Sequence, residues 1–180
     1  MASPAPVPNI RALLKQVYDL YRTALLNQLY YSDRLASFQT RNKYVEIIQA
    51  VGTSSAIGAW GIFRTGAGQY AWLVIAGIAT IISIIKPFLQ WPKEIERYGQ
   101  LSLGHATLYL DLKHIVQRIA VDQDIKGSTI QEIENAVNRY KELALKDDPK
   151  PIIRKIKQFE DRVNQQIRIK DLWKPQKNEQ

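Results

Sequence analysis

With 180 residues, no cysteine and two histidines, the chain is long enough to build a hydrophobic core without covalent staples. It offers no disulfide framework, no thiolate zinc site and no cysteine nucleophile. The formal net charge of +8 is spread unevenly: residues 1–46 carry 6 basic and 3 acidic side chains, 47–85 only Arg64, 86–149 9 against 10, and 150–180 9 against 4. Positive charge therefore gathers before the central apolar third and in the tail, which points to an anionic partner near those ends.

In chain order, residues 1–9 within "MASPAPVPNI" have no charged flank followed by an apolar core. They read as a disordered lead-in and not as an export signal. From Ile10, apolar residues recur at Leu14, Val17, Tyr21, Leu25 and Leu29, the spacing of one amphipathic helix assigned to 10–44. No glycine or proline interrupts it before Gly52, so the helix is expected to run on as a rod into the apolar region.

Ile47–Phe63 and Thr65–Ile85 are charge-free runs of 17 and 21 residues. At 1.5 Å per residue, about twenty residues cross the roughly 30 Å hydrocarbon layer of a bilayer. A soluble bundle helix normally keeps one polar stripe, and "YAWLVIAGIATIISII" keeps none. Arg34, Arg41 and Lys43 precede the first run and Lys86, Lys93 and Arg97 follow the second, an asymmetry that places both ends in the cytoplasm. Tyr44 and Trp91 fall at the inner edges, and Trp60, Tyr70 and Trp72 at the outer one, as interfacial aromatics do. The fold class expected is all-α: an integral membrane protein with a two-helix transmembrane hairpin over 45–91 (spans about 45–63 and 69–86) and long amphipathic helices before and after it. "RTGAGQ" is then the outer turn. Gly66, Gly68 and Ala71 within it match a dinucleotide-binding fingerprint only by chance, because no strand precedes them.

On a helical wheel of the first span, Glu46, Gln49, Thr53, Trp60 and Arg64 share one stripe, and Ala50, Ser54, Gly58 and Gly61 the adjoining one. Ala76, Ala79, Thr80 and Ser83 add small or polar positions on the second. Small residues let membrane helices approach closely, and polar groups in lipid need a partner or water. One expectation is that Ala50, Ser54, Gly58 and Gly61 pack helices between subunits while Glu46, Gln49 and Thr53 line a wet pathway in an oligomer. The other is that the small stripe packs the two helices of one monomer and the polar groups bond locally.

After Lys86 and Pro87, Pro92 suits the first turn of a further helix marked by Ile95, Tyr98, Leu101, Leu108, Leu112, Ile115 and Ile119, ending about Val121 and weakened at Gly99 and Gly104. "DIKGS" is a turn. Thr129 with Glu132 predicts a capping box for a helix burying Ile130, Ile133, Val137 and Tyr140. Asp148 before Pro149 predicts the cap of a last helix with apolar positions Ile152, Ile156, Phe159, Val163 and Ile167. Residues 92–180 are thus one cytoplasmic helical domain. Along the last helix Arg154, Lys155, Lys157, Arg162, Arg168 and Lys170 are candidate contacts for an anionic ligand. Glu160, Asp161 and Asp171 among them leave a solvated face, or contact with the anionic leaflet, as the alternative.

His105 and His114 are nine residues apart, on opposite sides of any helix they share, which argues against a paired-histidine metal site. No nucleophile elbow, metal spacing or glycine-rich phosphate loop is present, so no enzyme activity and no cofactor is expected.

The order of "RNKYVEIIQAV" entering a first span, a tight turn, a second span, then "GHATLYLDLKHIVQRI" and "RYKELALKDDP", resembles the SLATT group of bacterial two-transmembrane effector domains. The resemblance covers roughly Asn9–Pro151 and rests on order and pattern. It implies an effector of anti-phage defence in the bacterial inner membrane and offers no catalytic residue to transfer. That effector is a homo-oligomer, such as a tetramer, conducting ions through the lipid bilayer under control of a nucleotide or oligonucleotide made by a companion nucleotidyltransferase. A non-conducting, membrane-shaping hairpin and a soluble helical scaffold are the other readings.

Overall fold

A computed structural model describes residues 10–58, 67–168 and 172–174, with side chains for 10–51, 70, 74, 77–168 and 172–174. Every regular element among them is helical: α1 (Ile10–Gly58), α2 (Ala67–Ile85), a 3-10 turn (Lys86–Leu89), α3 (Trp91–Asp122), α4 (Gly127–Ala144) and α5 (Ile153–Gln166). The rod expected from Ile10 onward is present as a helix of 49 residues. The lead-in, the "RTGAGQ" bend and the fingerprint glycine Gly66 lie outside the described residues.

The chain divides into two compact units, Met1–Ser32 with Gly99–Gln180, and Asp33–Tyr98. The boundaries fall inside α1 and α3, where no break in helical pattern announces them.

The first unit is built on four apolar stripes. Leu14, Val17, Tyr21, Ala24 and Leu25 of α1 are buried with Leu108, Leu112, Ile115 and Ile119 of α3, Ile133 and Ala136 of α4, and Val163 of α5. Leu108 and Leu112 retain no exposure, and each such leucine contributes about 1.5–3 kcal/mol through burial. Tyr21 stacks on Tyr109 with ring centroids 5.1 Å apart and planes 3° from parallel. Ile10, placed on the stripe by its spacing, is exposed at the helix start, where no neighbour covers it. Gly104 marks a close approach and not merely a weak point: a Cβ there would meet Leu143 Cδ2 of α4 at 2.5 Å.

Two expected caps are corrected. α4 begins at Gly127, two residues before Thr129, with Lys126 as a cap that makes no side-chain hydrogen bond. Thr129 is buried inside the first turn, so burial and not capping fixes it there. α5 begins at Ile153 with Ile152 before it, again without a side-chain cap. Asp148 instead accepts a hydrogen bond from the Tyr30 hydroxyl at 3.0 Å.

In the second unit α2 meets α1 through a few contacts. Ala79 is buried, and Gln49 Nε2 donates to Ser83 Oγ at 3.3 Å. One row of α2 is aliphatic and exposed: Val74, Ile78, Ile81 and Ile85 follow at helical spacing and are each about half exposed or more, with Ile78 beside Ile47, Ile48 and Val51 of α1. Among the described residues no helix is long and apolar enough to cross a membrane. The two expected spans are therefore not seen as such there. Residues 59–66, where the apolar runs meet, lie outside the described residues.

Gln123, just past α3, has φ 52° and sends its N–H to the Ile119 carbonyl at 2.9 Å. A left-handed non-glycine residue at a helix end is strained, and glycine removes the strain. Gln123→Gly should therefore stabilise the protein by about 1 kcal/mol, and Leu112→Ala should cost ~2–5 kcal/mol, both measured by denaturant unfolding.

Candidate functional site

Residues singled out by the sequence fall in two places. In the second unit, Glu46 is exposed and accepts a hydrogen bond from Asn42 Nδ2 at 2.7 Å, one turn away on its own helix. Gln49 sits between the two arms of the hairpin: besides reaching Ser83, its Oε1 accepts from Lys86 Nζ at 2.9 Å. Ala50 is exposed on α1. Thr53, Ser54 and Gly58 belong to α1, but the side chains of the first two and the surroundings of Gly58 lie outside what is described, as does all of Gly61. Gln49, Ser83 and Lys86 thus form one polar chain inside a single hairpin, which is the local bonding a polar group needs among aliphatic neighbours.

The second place is α5. Phe159, Val163 and Ile167 are buried within the first unit, and Arg154, Lys157, Arg162 and Arg168 are exposed, with Lys155 half-buried. The Arg162 guanidinium lies over the Phe159 ring, 5.7 Å from its centroid. Lys170 lies outside the described residues. A groove of about 310 Å³ between α5 and α1 holds none of these cations. It is lined by Asp19, Glu160, Thr23 and Asn164 around Arg22, whose guanidinium donates to the Asn164 side-chain oxygen. The two carboxylates there oppose an anion. The exposed side of α5 sets Arg154 and Lys157 beside the exposed Asp161, so its positive charge is partly offset.

A third cluster escaped the sequence reading. His105 of α3 is fully buried, stacks on Tyr31 of α1 with centroids 5.5 Å apart, and has Nε2 3.3 Å from Asp147 Oδ1. Its Nδ1 has no hydrogen-bond partner. Around it the α4–α5 connection is tied to α1 by tyrosines: the Asp148 N–H donates to the Tyr31 hydroxyl at 3.1 Å, and the Ile152 N–H to the Tyr30 hydroxyl at 3.2 Å. Two stretches far apart in the chain, "GHATLYL" and "RYKELALKDD", therefore meet through His105, Tyr140, Asp147 and Asp148, with the Tyr140 ring edge-on to His105 at 6.5 Å. Period alone could have found His105, since it lies in register between Leu101 and Leu108. Its aspartate partner is in a loop, where no period helps.

Sealed from solvent, His105 cannot reach a solute, and the arrangement holds a connection in place. His114 is exposed, as the opposite-face argument requires. Among the described residues no group of three histidine, aspartate or glutamate side chains could hold a metal ion. No family model matches the chain, no curated protein is similar to it, and no solved structure matches it.

Burial raises the pKa of Tyr31 above the ordinary value of 10.0; the Asp148 N–H pulls the other way, and the Asp147 carboxylate adds to the rise. Tyr21 is raised too, by burial and then by its hydrogen bond with Tyr109. A folded-state pKa above the unfolded one means that both tyrosines contribute stability that is full below pH 10.0 and is lost as pH rises beyond it. Tyr31→Phe should lower stability at pH 7 by about 1–2 kcal/mol, because the Asp148 N–H loses its acceptor. It should also flatten the loss of stability above pH 10.0, read from urea unfolding at a series of pH values.

Proposed function

We propose that the chain is a membrane effector: the hairpin of the second unit lies in the bacterial inner membrane with both ends cytoplasmic, several copies assemble to permeabilise it, and the first unit carries the control. The observation that carries this reading is the exposed aliphatic surface of the hairpin. A water-soluble hairpin would bury its isoleucines. Here Val74, Ile78, Ile81, Ile84 and Ile85 of α2 are exposed, and Ile78 lines an open apolar groove with Ile47, Ile48 and Val51 of α1. Such a surface suits a surround of hydrocarbon, in which aliphatic side chains meet lipid. The 19 residues of α2 carry no charge, and the charge-free run in the sequence continues past it through Thr65. At 1.5 Å per residue, α2 alone measures about 28 Å, against a hydrocarbon layer of about 30 Å.

Self-assembly is supported by Leu103 and Leu110, exposed two turns apart on α3, an apolar pair that a second copy can cover. Control by an anionic nucleotide or oligonucleotide is supported by the excess of exposed arginine and lysine over Glu160 and Asp161 along α5 and by the resemblance to the SLATT group. The pathway through such an assembly would take in Glu46 and Thr53, with Gln49 engaged inside each hairpin.

Ile81→Lys distinguishes lipid from water as the surround. Bilayer insertion should lose ~2.5–3.5 kcal/mol, seen as a fall in the carbonate-resistant membrane fraction. A chain that stays in the soluble fraction with or without the substitution would sink the reading. In cells carrying a potential-sensitive dye, expression of the wild-type chain should depolarise the membrane. An inserted chain with unchanged potential favours a membrane-shaping role. Replacing Arg154, Lys157 and Arg162 together with glutamate should abolish control by a nucleotide-producing partner while insertion persists; equal control in that variant would exclude α5 as the receiver.

A further inference from the structure

Where the hairpin meets α3, the second unit has a notch of about 320 Å³ lined by Asn42 of α1, Ser83 of α2, Lys86 and Pro87 of the 3-10 turn, and Gln90 and Trp91 at the start of α3. Three helices and a turn converge on it, and no carboxylate is among the lining side chains. Its cation is placed and not free to wander: Lys86 Nζ is held by the Gln49 amide oxygen at 2.9 Å and keeps two further N–H groups. The floor is rigid. Pro87 and Pro92 bracket the turn, and between them Gln90 holds φ 47°, a left-handed backbone that a non-glycine residue adopts at a cost. Asn42 at its rim directs its Nδ2 to Glu46 at 2.7 Å. The half-buried Trp91 indole supplies an apolar plane with one N–H donor, the pairing found where protein meets lipid headgroups.

We propose that this notch binds the phosphodiester headgroup of an anionic membrane phospholipid, with the Lys86 ammonium on the phosphate and the Trp91 ring against the glycerol region. The inference rests on the membrane reading above. A volume of about 320 Å³ is at the small end for a ligand site: it admits a headgroup but is small for an oligonucleotide. A lysine on a short turn gives a phosphate a point charge without demanding bidentate geometry. Near it in sequence, Arg41, Lys43, Lys93 and Arg97 outnumber Glu46, Glu94 and Glu96 by one, and Lys86 adds a further positive charge, a modest excess that favours an anionic headgroup.

The test is native mass spectrometry of the full chain released from membranes in mild detergent, with phosphatidylglycerol or phosphatidylcholine added. Wild-type protein should retain phosphatidylglycerol over phosphatidylcholine at least tenfold. Lys86→Gln should lose that preference, and Lys86→Arg should keep it. Circular dichroism shows whether Lys86→Gln, which takes the ammonium away from Gln49, has cost helix; Trp91→Leu, which leaves the Lys86–Gln49 bond in place, should weaken retention as well. Equal phosphatidylglycerol retention in wild type and both variants, with all three inserted, would overturn the notch and leave the membrane reading standing. Displacement of the lipid by millimolar inorganic phosphate or a mononucleotide would overturn the lipid as its occupant. A chain found wholly in the soluble fraction would overturn both readings.

Discussion

The seam between α1 and α3 is the constraint on which the first unit depends. Leu14, Val17, Tyr21 and Leu25 on one helix and Leu108, Leu112, Ile115 and Ile119 on the other are buried together, though they lie some ninety residues apart in sequence. Neither stripe can be satisfied by its own helix, because a helix presents its apolar face outward and needs a second surface to cover it. α4 and α5 then close over the seam through Ile133, Ala136 and Val163, and the remaining elements take their places around it.

The tyrosine cluster shows how such a core extends its reach to irregular backbone. A connection between helices would ordinarily be held by water. Here Tyr30 and Tyr31 supply hydroxyls to the N–H groups of Ile152 and Asp148, and His105 lies beside Asp147. The consequence is that α5, with its exposed arginines and lysines, is fixed at its start by polar bonds to α1 and along its length by Phe159 and Val163. Exposed ion pairs such as Arg118–Glu132 and Arg139–Asp111 between α3 and α4 add little, about 0–1 kcal/mol each.

The second unit follows the opposite rule. Its polar atoms meet between α1 and α2, as the Lys86–Gln49–Ser83 chain does, and most of its isoleucines among the described residues are left exposed. The Arg34 guanidinium lies beside the stacked Phe38 and Tyr98 rings, 5.2 and 5.0 Å from their centroids, so this cation is oriented by aromatic groups.

Short-range period in the amino-acid order accounts for the helical character of each element, the unbroken run of α1 from Ile10, the start of α3 beside Pro92, the opposite placement of His105 and His114, and the buried positions of α3. All of these are readable residue by residue, because a repeat of three or four is the helix's own geometry. Contacts between distant segments were settled only by the packed fold. Thr129 is a core residue and not a cap, Asp148 serves Tyr30 and not α5, Gly104 makes room for Leu143, and Gln49 meets Ser83 and Lys86. Each of these depends on a partner supplied by another element, and the distance to that partner is set by how helices pack, which no local pattern encodes.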